Sequence, residues 1–90
     1  MRIIDWTDEA VANLDSIIKY VAEFNPSAAV RLAERLIATV DRLSEFSDRG
    51  RPATGDHREM TVIWPYVIRY RVEQDRVIIV RIRHGARDDG

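Results

Sequence analysis

The sequence contains no cysteine. That removes a disulfide framework and any thiolate metal site. It contains one lysine, Lys19, so nearly all of its positive charge is arginine. The planar guanidinium suits bidentate contact with phosphate or carboxylate, where an ammonium offers only a point charge. No apolar run is long enough to cross a bilayer as a helix. The segment Met1-Arg2-Ile3-Ile4-Asp5-Trp6 is far too short in apolar residues for a signal peptide. A cytoplasmic location is therefore the default expectation, with no membrane partner. Internal repeats, linkers and low-complexity stretches are also missing, and no motif calls for a metal or an organic cofactor.

What is present fits one domain spanning residues 1–90. A domain of that size buries only about 60–65% of its unfolded-chain surface, so its stability margin is thin. The net charge of −1 hides an asymmetry. Residues 1–46 carry five basic and eight acidic side chains, whereas residues 47–90 carry nine and seven. Without Asp88 and Asp89 the second half would stand at +4.

Arg2–Trp6 is short and rich in β-formers, and reads as a strand. Thr7 is a good N-cap, and Asp8 and Glu9 suit the positive end of a helix dipole. Ala10, Leu14, Ile17, Ile18 and Val21 then recur at helical spacing up to about Phe24. Asn25 can end that helix in a left-handed conformation, and Asn25-Pro26 opens the next as N-cap and first turn. Ala29, Leu32, Ala33, Leu36, Ile37, Val40 and Leu43 form a second apolar stripe. So tight a link predicts an antiparallel helix hairpin. The stripes are mostly ordinary core, but they exceed what one small sheet covers. The remainder predicts a groove for a partner segment that folds on binding.

Ser47–His57, with Gly50, Pro52 and Gly55, reads as a loop. The periodicity then switches to two, which predicts strands near 58–63, 66–73 and 77–84. Placing Ile68, Tyr70 and Val72 on one face with Ile78, Val80 and Ile82 requires a three-residue turn at Gln74–Arg76. That register sets Tyr70 opposite Val80 and Arg69 opposite Arg81. The same logic sets Glu59 opposite Arg71 as a cross-strand ion pair. Arg69, Arg81 and Arg83 are left without an evident partner, with Arg87 just beyond. Like charges facing each other are unfavourable. The cluster is either neutralised by nearby carboxylates or a site for phosphate or an acidic protein surface. His84 falls on the core-side parity.

These stretches resemble the RelE/ParE toxin superfamily. The likeness runs from Trp6-Thr7-Asp8-Glu9-Ala10 through Asn25-Pro26-Ser27-Ala28-Ala29 and Gly50-Arg51-Pro52. It continues through Tyr66-Val67-Ile68-Arg69-Tyr70-Arg71-Val72 to Ile82-Arg83-His84-Gly85-Ala86-Arg87-Asp88. It implies an α+β fold of order β-α-α-β-β-β, a helix hairpin on a small, mainly antiparallel sheet. It also implies a ParD-like antitoxin partner, with DNA contacted only through the antitoxin complex, and a place in plasmid stabilisation. ParE-like members poison DNA gyrase, whereas RelE-like members enter the ribosome and cleave mRNA. Cleavage by 2′-hydroxyl attack needs a base, an acid and cations for the phosphate. RelE-like nucleases use lysines, an arginine and a late tyrosine or histidine. Here Val67 stands where that arginine is expected, and no tyrosine follows Tyr70. The substitute nuclease set is His84 with Arg81, Arg83 and Arg87. The ParE-like branch is the expectation, with Arg69, Arg81, Arg83 and Arg87 contacting the target. A superfamily member that only binds its partner is the third reading.

Overall fold

A computed structural model of the chain describes residues 1–85. Strand β1 (Ile3–Trp6) leads into helix α1 (Asp8–Ala22) and helix α2 (Pro26–Arg42). The short strand β2 (Arg51–Pro52) precedes β3 (His57–Ile63), β4 (Tyr66–Val72) and β5 (Arg76–His84). The sheet order is β1-β5-β4-β3-β2, antiparallel except where β1 runs parallel to β5. The expected α+β architecture is therefore present. Two features are added to it. The first strand closes the β5 edge, and the Ser47–His57 loop contains a two-residue strand.

The helix boundaries follow from caps. The Thr7 hydroxyl accepts from the Ala10 amide at 3.0 Å, and Asn25 Oδ1 accepts from the Ala28 amide at 3.0 Å. Each cap satisfies an amide that the first turn would leave unpaired. Asn25 is extended, with φ −158°, and not left-handed. No residue other than Gly55 has a positive φ among those described. Both helices pack on one sheet face. Ala10, Leu36, Val40 and Leu43 meet Ile68, Tyr70, Val77, Ile79 and Ile82 in one buried cluster. Ile37, assigned to the core stripe by spacing, is exposed.

The β4–β5 register corrects the sequence reading. Glu73 and Arg76 share a backbone hydrogen bond of 2.8 Å, so the turn is the two-residue Gln74-Asp75. Val72 then pairs with Val77 and Tyr70 with Ile79, not Val80. Val77 and Ile79 face the core in place of Ile78 and Val80. A bulge at Val80 restores the other register, pairing Arg69 with Arg81 and Ile68 with Ile82. An extra residue in one strand inverts side-chain parity beyond it. The Val80 carbonyl accepts from the Thr7 hydroxyl at 2.7 Å, so one threonine both caps α1 and satisfies the bulge.

Beneath the loop, the Tyr70 hydroxyl accepts from the Gly50 amide at 2.7 Å and donates to the Ser47 carbonyl at 2.8 Å. Burial raises the Tyr70 pKa above its ordinary 10.0 against the opposing pull of the Gly50 hydrogen bond. This pair pins the β2 segment against the sheet.

Candidate functional site

The sheet face turned away from the helices carries the arginines, because alternation sends residues 69, 81 and 83 opposite to Ile68 and Ile82. Their organising group is Glu59. Its pairing also departs from expectation, since Glu59 lies opposite Arg69 and His57 opposite Arg71. Glu59 Oε2 accepts from Arg69 at 3.1 Å, and Oε1 accepts from Arg83 at 3.2 Å. The Glu59 side chain is only 11% exposed, against 17% for Arg69 and 22% for Arg83. Arg69 Nε also donates to His57 Nδ1 at 2.9 Å. Arg71 pairs with Glu73 at 3.0 Å instead of Glu59.

One carboxylate thus serves two arginines, with a third beside them. Arg81 sits directly opposite Arg69, and its buried Nε has no hydrogen-bond partner. A buried donor left unpaired costs free energy. The cluster has the chemistry to accept a further anion, a carboxylate or a phosphate. The expected set is therefore brought together at Arg69, Arg81 and Arg83, while Arg87 lies outside the described residues. Sequence reasoning missed Glu59 as the shared partner. The signal was its position one residue before Met60 on a strand whose core face is apolar.

His84 is elsewhere. It lies on the helix side of the sheet, edge-on to Tyr66 at 5.6 Å between ring centroids. With Tyr66, Ser16, Ile17 and Tyr20 it lines a small cavity of about 150 Å³. Consecutive strand residues point to opposite faces, so His84 and Arg83 are divided by the sheet. The substitute nuclease set of His84 with Arg81 and Arg83 is not assembled on one face. Among the described residues no group of His, Asp or Glu side chains could hold a metal. None of their helices is long and apolar enough to cross a membrane.

The hairpin keeps apolar surface. Val11, Tyr20, Phe24, Val30 and Ile37 are exposed, with Tyr20 and Phe24 stacked edge-on. Beside them a groove of about 440 Å³ is lined mainly by Val21, Ala28, Leu32, Ile63 and Tyr66. This is the leftover surface that the two stripes predicted.

The sequence matches known toxins, and the fold matches a solved toxin–antitoxin structure. Residues 4–89 match the family model of the ParE toxin of the type II toxin–antitoxin system parDE. The chain is 49% identical to Toxin RelE2 of Caulobacter vibrioides over 97% of its own length and 99% of that protein's. It is 37% identical to the putative toxin Y4kP of Sinorhizobium fredii, over 91% of this chain and 86% of the other. A solved structure of the chromosomal ParDE toxin–antitoxin system from P. aeruginosa superposes with a TM-score of 0.83. It shares 27% identity and covers 93% of this chain and 96% of that one. The chain belongs to the ParE toxin family. It is the toxin of a type II toxin–antitoxin system, and its partner is an antitoxin.

Proposed function

We propose that this toxin acts as a ParE-like inhibitor of DNA gyrase, using the Arg69, Arg81 and Arg83 face with Arg87, and is not a ribosome-dependent nuclease. The observation that carries the reading is the split between faces. His84, the histidine of the expected nuclease set, lies on the opposite side of the sheet from the arginines, and His57, on their side, is engaged through Nδ1 by Arg69. General acid–base chemistry requires both within reach of one scissile phosphate. Binding needs only the cations, and Arg81 Nε is the donor left unused.

The antitoxin segment is assigned to the apolar groove between the hairpin and Tyr66, where Val21, Leu32 and Ile63 supply burial. It is ParD-like on this reading, and DNA is reached only through the antitoxin complex. The names of the relatives favour a second reading, since Toxin RelE2 and Toxin RelE3 of Caulobacter vibrioides are 49% and 32% identical to this chain. On that reading the target is the ribosome with its mRNA.

Purified toxin is added to gyrase on relaxed plasmid and, separately, to translating ribosomes read by toeprinting. The expected result is loss of supercoiling with trapped DNA breaks, reversed by the antitoxin and weakened in Arg81→Ala. Cuts within A-site codons that disappear in His84→Ala would instead establish the nuclease.

A further inference from the structure

The sheet has an open edge. Strand β2 pairs with β3 only through Arg51 opposite Glu59 and Pro52 opposite Arg58. Beyond Glu59, no described strand covers Met60–Ile63 on that side. The His57 carbonyl accepts from Ala53, and the His57 amide donates to Thr54, so both His57 backbone groups point to the β2 side. In an antiparallel strand every second residue repeats that direction. The amide and carbonyl of Thr61 therefore aim at the open edge, and Thr61 is exposed.

The concave surface along this edge is basic. A groove of about 500 Å³ includes Arg49, Arg51, Thr61 and the exposed ring of Trp64. It continues into one of about 310 Å³ between α2 and β3, which adds Arg35 and Arg42 and shares Arg49 and Thr61. Arg35, Arg42, Arg49 and Arg51 are all exposed. None is ion-paired among the described residues. Four unpaired guanidinium groups flank a strand edge whose backbone groups face outward.

We propose that this edge receives an extended acidic peptide, which adds to the sheet as a strand beside Thr61 while its carboxylates meet Arg35, Arg42, Arg49 and Arg51. The outward amide and carbonyl select a peptide backbone over a nucleic acid, and the arginines select acidic side chains. The larger groove borders the Glu59 face, since Glu59 and Val67 also line it, but the outward backbone of Thr61 and the arginines Arg35 and Arg42 lie outside the Arg69, Arg81 and Arg83 cluster. Edge strands are sites where another chain pairs unless something blunts them. The bulge between Thr61 and Ile63 limits the added strand to a short one.

The full chain is titrated with a short synthetic peptide of alternating glutamate and threonine. Comparison ligands are the same peptide with every amide N-methylated, a lysine–threonine counterpart, and oligouridylate. Binding is followed by anisotropy, and hydrogen exchange is read at the Thr61 amide. The glutamate peptide should bind and slow exchange at Thr61. N-methylation, or the Arg42→Ala/Arg49→Ala pair checked for unchanged folding, should each weaken binding about tenfold. Failure of the glutamate peptide to bind overturns the proposal. So does equal binding by the N-methylated peptide, the lysine peptide or oligouridylate.

Discussion

Replacing Glu59 with glutamine removes one charge and almost no volume. In the native sheet that charge sits between Arg69 and Arg83, at 3.1 and 3.2 Å, with Arg81 opposite Arg69. Exposed ion pairs contribute about 0–1 kcal/mol each, whereas removing one partner of a fully buried pair costs about 3–5 kcal/mol. At 11% exposure the carboxylate lies nearer the second limit, and its arginines, at 17% and 22%, pull the value back. Glutamine also keeps one acceptor oxygen. The expected loss is about 2–3 kcal/mol. For a domain of this size that lowers Tm by about 10–20 °C. Because the damage is mutual repulsion of three cations, sulfate should restore part of the loss by screening and by occupying the site. Arg81→Ala should be less harmful in the Glu59→Gln background than in the parent, a coupling that a double-mutant cycle reads directly. Thermal unfolding followed by circular dichroism gives all four corners. A Glu59→Gln variant within about 0.5 kcal/mol of the parent would show that the carboxylate is not the centre of the cluster.

Arg71→Ala should change stability by no more than about 0.5 kcal/mol, because Arg71 meets the half-exposed Glu73 and not Glu59. Tyr70→Phe should cost about 2 kcal/mol by leaving the Gly50 amide and the Ser47 carbonyl unpaired under the loop. Gly50→Ala should cost about 3 kcal/mol or more, since a Cβ there would stand 2.6 Å from the Tyr70 hydroxyl. In alkali the sign follows from the raised Tyr70 pKa. The folded state keeps its proton where the unfolded chain has lost it, so stability holds below pH 10.0 and falls as pH rises above it. Tyr70→Phe should flatten that part of the stability curve, measured by denaturant melts across the alkaline range.

The helix hairpin was legible because its signals are local. Thr7 and Asn25 cap within three residues, and the two stripes hold a period that only a helix satisfies. The leftover apolar surface was legible by subtraction. The β4–β5 register was not, and the reason lies in Val77-Ile78-Ile79-Val80. Four consecutive apolar residues carry no period-two signal, so either pair could face the core. Tyr70 gave parity on one strand only. The turn was decided instead by Gln74-Asp75, and the compensating bulge by the hydroxyl of Thr7, distant in sequence from Val80. The error at Glu59 has a similar origin. The Trp64-Pro65 turn pairs Ile63 with Tyr66, one residue off the expected count, and the register shift at Val62 adds a second, so Glu59 meets Arg69 and not Arg71.

These irregularities build the site. Were the two-residue turn followed by an unbroken ladder, Ile68 would face Arg81, and that guanidinium would enter the core. The strand avoids this by inserting Val80, after which Ile82 returns to the core and Arg81 and Arg83 turn outward. The price of the manoeuvre is that Arg81 lands opposite Arg69. Two cations at directly opposite positions are tolerated because Glu59, one strand further, pairs with Arg69 and Arg83 and offsets the repulsion. The arrangement leaves one donor over, since Arg81 Nε is buried without a partner. A fold with a thin stability margin keeps such a deficit at a cost of its own. On the reading proposed above, a partner that brings an anion to Arg81 would recover that cost on binding, so Arg81→Ala should weaken target binding without destabilising the free toxin.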